Sequence, residues 1–303
     1  MKVDAHMTPG DVVGLVLHFR TPQRTLSCLD SLRREGITEV VIVDNSQDGG
    51  DSVLAMTLGI KALSERGMRA TVLPQERNLG FAAGVNVGIR HIISEYSADV
   101  LLINSDATLG SGALAAMRQL LPDATLVAPY ASAADGGQLQ SPLVFYQKYL
   151  ALYLRRPVLG SINYPSGSCL LVRRDYVRTD IFDDEFFFYG EDVMLGHRIT
   201  EGDDVFRDCP SATIVHGGSV SSKNGSRFYE YHMNRAHWLL ARKLAANHLE
   251  RFVCVFLRCI TLPLRALVRS FRWRSLTPLI GLGWATSDVL RGRYRDLTPP
   301  VAR

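Results

Sequence analysis

The feature that most constrains this chain is a repeated pairing of short apolar runs, each ending in polar residues, with segments of helical periodicity. DVVGLVLHF, EVVIVDNS, RATVLPQ and DVLLINSD have strand length and are apolar along most of their course, as strands covered on both faces are. TPQRTLSCLDSLRREG carries apolar residues at helical spacing and stops at a glycine, and GSGALAAMRQLLP is a helix closed by Pro122. Strands alternating with helices predict an α/β fold: a parallel-dominated central sheet flanked by helices. Sheets of that kind hold ligands beyond the carboxyl ends of their strands. Asp44, in DNS, and Asp106, in NSD, occupy two such ends. On neighbouring strands both carboxylates would face one crevice, whereas as plain turn formers they would need no ligand.

A third helical segment, NLGFAAGVNVGIRHIISEY, carries Gly80, Gly84 and Gly88 four apart on one face. Glycine disfavours a helix interior by about 1 kcal/mol, so three in register predict close approach to a sheet or a ligand. They do not make a dinucleotide fingerprint, because spacing and place are both wrong. Further along, SGSCLLVRRDYV reads as a strand, and FDDEFFFYGEDVMLGHRITEG as an aromatic-acidic loop entering a helix near Glu191. ATIVH then reads as a short strand before the polar loop GGSVSSKNGS. The five cysteines are odd in number and lack zinc-type spacing, which predicts free thiols in a reducing compartment. The opening MKVDAHMTPGD has no apolar core of the kind a secretory signal needs.

Four polar clusters could carry chemistry: DNSQDGG, NSD, the GED at 190–192, and His216. A diphosphate-handling site needs a divalent cation, and magnesium takes one or two protein carboxylates together with phosphate oxygens and water. Asp106 and His216 suit that sparse set, although a lone histidine after a strand is also an ordinary structural residue. Glu191 and Asp192 open a helix, where acids are favourable first-turn charges. The preceding Phe186, Phe187, Phe188 and Tyr189 offer an apolar wall that would raise a neighbouring carboxylate's pKa and improve it as a base. The same aromatics could equally be core.

In order, VVIVDNSQDGG, ERNLGFAAGVNVGI, VLLINSDATL, SGSCLLVRRD, FDDEFFFYGEDVMLGHRI and ATIVHGGSVS resemble the family-2 inverting glycosyltransferases. The resemblance is greatest to the rhamnosyltransferase-like branch of bacterial surface-polysaccharide synthesis. It covers about residues 11–243, including FYEYHMNRAHWLLARK. It implies a GT-A domain over residues 1–243, with a nucleotide-binding half over about 11–125 and an acceptor half over about 126–243. By that resemblance Asp44, with Asn45 beside it, would accept the N3–H of a uracil or thymine base, and Arg77 and Asn78 would lie near the base or phosphates. Asn104 and Asp106 would stand at the family's DxD motif, Asp106 bridging the diphosphate through Mg²⁺ or Mn²⁺ with His216 near the metal. Asp192, with Glu191 beside it, would be the general base. Two departures stand out. NSD puts Asn104 where a strict DxD has an acid, which weakens the case for metal dependence, and Met194 replaces the second acid that usually follows the ED pair.

The charge is unevenly spread. Residues 241–303 hold 12 Lys or Arg against 3 Asp or Glu, while residues 1–240 hold 22 against 27. In RFVCVFLRCITLPLRALVRSFRWRS, Arg251, Arg258, Arg265 and Arg272 are seven apart. On a helix they form one stripe, drifting about 20° per heptad. The longest uncharged run, SLTPLIGLGWATS, has 13 residues, short of the roughly 20 a span needs. The expectation is a basic amphipathic helical tail over 244–303, broken into two helices at Pro263. It would lie on an anionic membrane surface through residues 244–295, with arginines toward the headgroups. A helical cap or a homodimer interface is the competing use, and no nucleic-acid motif accompanies the charge. The segment 141–160, SPLVFYQKYLALYLRRPVLG, could help bind an acceptor.

The family resemblance implies a single-displacement transferase moving a sugar, L-rhamnose from dTDP-rhamnose in the first instance, to a hydroxyl of a lipid-linked or polysaccharide acceptor. The expected location is the cytoplasm, peripherally on the inner face of the cell membrane. UDP-sugar-dependent glucosyl, N-acetylglucosaminyl or galactofuranosyl transfer is the alternative within the class, and a non-catalytic nucleotide-sugar-binding assembly protein the alternative outside it. A nucleotidyltransferase would want a Gly-rich loop after the first strand, where HFRTPQRT has arginine and no glycine.

Overall fold

In the computed structural model, which describes residues 11–133, 137–177, 180–216 and 225–293, the expected alternation is present. The chain runs β1 (Val12–His18), α1 (Pro22–Arg34), β2 (Glu39–Asp44), α2 (Asp51–Ser64), β3 (Arg69–Pro74), α3 (Phe81–Glu95), β4 (Asp99–Asn104) and β5 (Ala107–Leu109). Next come α4 (Ala113–Leu120), β6 (Leu126–Ala133), β7 (Leu143–Gln147), β8 (Leu152–Leu154), β9 (Ser161–Pro165) and β10 (Cys169–Val172). The last part holds α5 (Glu191–Glu201), β11 (Phe206–His216), α6 (Arg227–Lys243), α7 (His248–Trp273) and α8 (Thr277–Leu290). Most of the expected opening segment, most of the GGSVSSKNGS loop and the last ten residues of the tail lie outside the described residues.

Two compact units divide the chain. The first comprises Met1–Pro142, Pro165–Ile181 and Gly202–Gly218, and the second Leu143–Tyr164, Phe182–Glu201 and Ser219–Arg303. These boundaries fall elsewhere than near 125 and 243, and they put α6, α7 and α8 into one unit.

The first unit is built on an eight-stranded sheet in the order β3-β2-β1-β4-β10-β6-β11-β5. The pairs β3–β2, β2–β1, β1–β4 and β6–β11 are parallel, while β10 and β5 run antiparallel to their neighbours. From β1 the chain steps outward through β2 to β3 and then returns to the other side of β1 as β4. The carboxyl ends of β1 and β4 therefore flank a topological switch point, the usual place for a ligand crevice.

Helix α3 answers the glycine question. A Cβ on Gly88 would come within 2.2 Å of Leu15 Cδ1 and 3.0 Å of Val43 Cγ2, and one on Gly84 within 2.7 Å of Leu17 Cδ1. Both glycines let the helix lie directly on β1 and β2. Helix α2 escaped the sequence reading because its stripe is weak, with Leu54 and Leu58 exposed. The ATIVH strand is the end of a longer β11, whose register shifts between Cys209 and Thr213. Pro210 lies inside that irregularity, where a missing N–H is tolerated.

The second unit carries the small sheet β8-β7-β9 and the helices α5 to α8. Its core includes Tyr146, Phe186, Leu239, Leu240, Leu262 and Leu282. Tyr231 of α6 donates its hydroxyl to Asp288 of α8 at 2.8 Å, and Trp238 donates its ring N–H to Thr286 at 3.0 Å. At the start of α7, Glu250 accepts from the Tyr149 hydroxyl at 2.8 Å and pairs with Lys148 at 2.6 Å. Chiefly the lysine hydrogen bond, then the Ala246 N–H, holds its carboxyl down to about 2.

Two expectations for the tail fail here. Pro263 does not break the helix: α7 is continuous from His248 to Trp273. A proline inside a helix costs about 3 kcal/mol, which the packing of Cys254, Leu262 and Ala266 offsets. The chain turns instead at Arg274, whose φ is +48°. The arginine stripe does not face outward either. Arg258 is fully buried, donating to the Tyr146 hydroxyl at 3.1 Å and to the Cys254 carbonyl at 3.2 Å. Arg269 donates through Nε, at 2.9 Å, and Nη2 to Oε1 of buried Glu230, and stands over the rings of Tyr229 and Trp273. Acceptors on the protein hold these guanidiniums inward, and Arg251 and Arg272, at the two ends of the stripe, stay exposed.

Candidate functional site

At the carboxyl end of the parallel strands, the sheet register brings two polar residues level and a third close to them. His18 of β1 is level with Asp44 of β2, while Asn104, the last residue of β4, is level with Leu17, one position short of that row. Asp44 is buried and its Oδ1 accepts the Ser46 N–H at 3.0 Å. Asn45 works as a pin: its N–H donates to the His18 carbonyl at 2.9 Å and its Nδ2 to the Gly80 carbonyl at 2.8 Å. That ties the end of β2 to the entry of α3. Asn78 shapes the same entry, its Oδ1 accepting the Gly80 N–H at 2.9 Å, and Arg77 is exposed on the loop just before it.

Two residues of this end escaped the sequence reading. His18 looked like the last residue of an apolar run, yet it is a fully buried imidazole beside Asp44. Its Nδ1 lies 2.7 Å from Thr25 Oγ1, whose own hydrogen goes to the Thr21 carbonyl at 3.1 Å. Nδ1 must therefore donate, which leaves the lone pair on Nε2, an atom with no hydrogen-bond partner among the described residues. Burial lowers the pKa of His18, with Asp44 and Asp48 acting the other way. Arg20 sits in the left-handed region at φ +52°, held to the DNSQ loop by Nε donating to the Ser46 carbonyl at 2.8 Å. The signal for both was present: they are the first polar residues at the carboxyl end of the first strand.

Asp106 follows in the turn between β4 and β5. Its Oδ1 lies 3.2 Å from Nε2 of His216, the last residue of β11, because β5 pairs with that end of β11. Their side chains are 16% and 24% exposed, so both can reach a ligand. Among the described residues no group of three or more His, Cys, Asp or Glu side chains gathers as a metal cage. A carboxylate and an imidazole fit a Mn²⁺ or Mg²⁺ ion whose other ligands are diphosphate oxygens and water.

In the second unit, Glu191 and Asp192 open α5 after two successive left-handed residues, Tyr189 at φ +67° and Gly190 at φ +93°. Burial raises the Asp192 carboxyl to about 7, and burial followed by the charge of Asp192 pushes Glu191 well above the usual carboxylate range. Oε2 of Glu191 has no partner among the described residues. The aromatic surroundings come from an unexpected direction. Phe187 and Phe188 pack with Phe228 and His232 of α6, and Tyr189 with Tyr229. The phenols that feel the Asp192 and Glu191 charges are Tyr153 of β8 and Tyr164 of β9, the first of them inside the 141–160 segment. Gly196 of α5 is required, since a Cβ there would come within 2.3 Å of Tyr164 Cβ and 2.4 Å of the Asn163 carbonyl oxygen. Met194 packs against the apolar core of this unit.

The chain is 26% identical over 227 residues to the N-acetylglucosaminyl-diphospho-decaprenol L-rhamnosyltransferase of Mycobacterium tuberculosis, covering 64% of this chain and 71% of that protein. Among solved structures it is similar to the mannosyltransferase PcManGT from Pyrobaculum calidifontis in complex with GDP-Man and Mn²⁺. The TM-score is 0.55 at 14% identity, covering 94% of this chain and 88% of that one. GalNAc-T7 with UDP, GalNAc and Mn²⁺ gives a TM-score of 0.55 at 14% identity over 75% of this chain, which spans 47% of that protein. These likenesses establish a GT-A fold. The model of glycosyl transferase family 2 matches residues 15–180, more than half of the chain, and the protein belongs to that family.

Proposed function

We propose that this glycosyltransferase moves a sugar with inversion from a nucleoside diphosphate to a hydroxyl of a lipid-linked saccharide, L-rhamnose from dTDP-rhamnose being the donor favoured. The observation that carries the reading is Asp192, a carboxyl that burial raises to about 7 at the first turn of α5. There it is both sufficiently ionised and sufficiently basic to take a proton near neutrality. Support for the sugar comes from the relative named as an L-rhamnosyltransferase, and for the acceptor from the diphospho-decaprenol in that name.

In the proposed reaction the acceptor oxygen forms a bond to the anomeric carbon as the bond from that carbon to the diphosphate oxygen breaks. The nucleoside diphosphate leaves with the electron pair, and the hydroxyl proton passes to Asp192. Glu191, held neutral beside it by burial and by its neighbour's charge, keeps a second negative charge away from Asp192. Asp44 accepts the N3–H of the base, Asn45 and Asn78 hold the loops around it, and Arg77 attracts the phosphates. Asn104 and Asp106 close the diphosphate end. A Mn²⁺ or Mg²⁺ ion held by Asp106 and His216 would supply positive charge to the leaving diphosphate.

The test is a thermal-shift panel of nucleotide sugars with and without Mn²⁺. Stabilisation follows RT ln(1 + [L]/Kd), so the true donor raises Tm most and its gain depends on the metal. Equal shifts for every nucleotide sugar, or none, contradict the reading. Release of free sugar from the bound donor separates a transferase from a silent binding protein.

A further inference from the structure

Helix α7 is amphipathic in the reverse sense for a helix on a protein surface. At about 100° per residue, Arg251, Arg258, Arg265, Arg269 and Arg272 all fall within about 60° of one another, on the side where Cys254, Leu262 and Ala266 are buried. The opposite side carries no charge from Leu249 to Phe271. It is strongly exposed there: Phe252 by 67%, Phe256 by 55%, Ile260 by 53% and Phe271 by 89%. Such a face is about 33 Å long at 1.5 Å per residue. Contiguous exposed apolar surface of that extent marks a contact with protein or lipid.

We propose that this face is a membrane-insertion surface. Phe252, Phe256, Ile260, Leu264, Leu267 and Phe271 enter the acyl boundary of a bilayer while α7 lies in the plane of the interface. The inference deepens the reading of a lipid-linked acceptor and rests on it, because an enzyme for such an acceptor must work at a bilayer.

Three observations select lipid over a second copy of the chain. No described helix is long and apolar enough to cross a membrane, so α7 lies on the surface rather than through it. Arg272 and Arg274 are exposed beside Phe271 and Trp273. This basic fringe complements phosphate headgroups at the end of the apolar face. An apolar groove of about 560 Å³, walled by Trp238, Val255, Cys259, Pro263, Leu282 and Val289, opens along one flank of the same helix. With Arg258 and Arg269 committed to Tyr146 and Glu230, docking is driven by hydrocarbon burial, and headgroup charge is secondary.

The full-length protein is floated with vesicles of neutral phosphatidylcholine and with vesicles containing an anionic lipid, at low and at high salt, without donor or acceptor. Recovery with neutral vesicles at high salt is expected, and Phe252→Ser combined with Phe256→Ser should lower it by at least about tenfold with Tm unchanged. Arg272→Gln with Arg274→Gln should cost only a few-fold, and only with anionic vesicles. An environment-sensitive fluorophore on Cys259, the exposed thiol among the described residues, should shift to the blue on vesicle addition. Recovery restricted to anionic vesicles and abolished by salt overturns the proposal in favour of electrostatic docking. No recovery at all overturns it too, and a dimer in sedimentation that the Phe variants dissociate would assign the face to a second copy. Sugar-nucleotide binding is measured separately, so failure here leaves the transfer chemistry standing, and failure there leaves the lipid contact standing.

Discussion

The two compact units handle charge in opposite ways. In the first, the side chains with candidate roles collect at one end of a sheet with a largely apolar core: His18, Asp44, Asn104, and then Asp106 with His216. In the second, ionisable side chains go inside, with Arg258 against Tyr146, Glu230 under Arg269, and Glu191 beside Asp192, while the outer side of α7 is phenylalanine, isoleucine and leucine. The difference teaches that a charged stripe on a helix identifies a face and not its direction. Direction is decided by what acceptors the rest of the unit offers. A buried guanidinium needs hydrogen-bond partners, and α7 finds them in a phenol and a carboxylate.

The largest effect belongs to the half-buried acid at the start of α5 in the second unit: Asp192→Asn should lower kcat by about 10²–10⁴ with donor affinity unchanged by titration calorimetry. Asp44→Ala in the first unit should do the reverse, weakening donor binding about 10- to 100-fold, the loss of one hydrogen bond to a charged group. A kcat defect without a binding defect in Asp44→Ala would merge the two roles.

Next comes pH. Because burial raises Asp192 to about 7 and the base must be ionised, turnover should fall about tenfold per unit below that value and level off above it. A rate flat from pH 5 to pH 8, on the order of three units, would remove that group from the rate equation.

Packing effects are smaller. Gly88→Ala presses on Leu15 and Val43 and should cost about 1–3 kcal/mol, read as a lower midpoint in urea. Arg258→Met should cost about 1 kcal/mol or less, since a buried charge can often be replaced by an apolar side chain of similar volume. A larger loss would show that the inward guanidinium is indispensable to the second unit.

Much of the first unit was legible because its signals are local. A run such as EVVIVDNS states both the strand and the polar residue at its end, and Gly84 and Gly88 pointed to a close contact four residues apart. Which contact they made, sheet or ligand, was not local, and neither was His18, whose meaning depends on Asp44 one strand away. The second unit was less legible for the same reason. Arg258 finds Tyr146 at a separation of 112 residues and Arg269 finds Glu230 at 39, so periodicity alone could not say that the stripe turns inward. Pro263 misled because local propensity weighs against it and distant packing outweighs that. Asp192 was found through family resemblance and first-turn position, but its surroundings, Tyr153 and Tyr164, come from strands that sequence spacing did not bring to its side.

The central claim is a single displacement at the anomeric carbon, and the most direct test is the configuration of the product. Proton NMR of the glycoside formed from a donor of known anomeric configuration should show the opposite configuration in the first product. A product that keeps the donor's configuration would contradict the account, since a single displacement from the face opposite the leaving diphosphate must invert the anomeric centre.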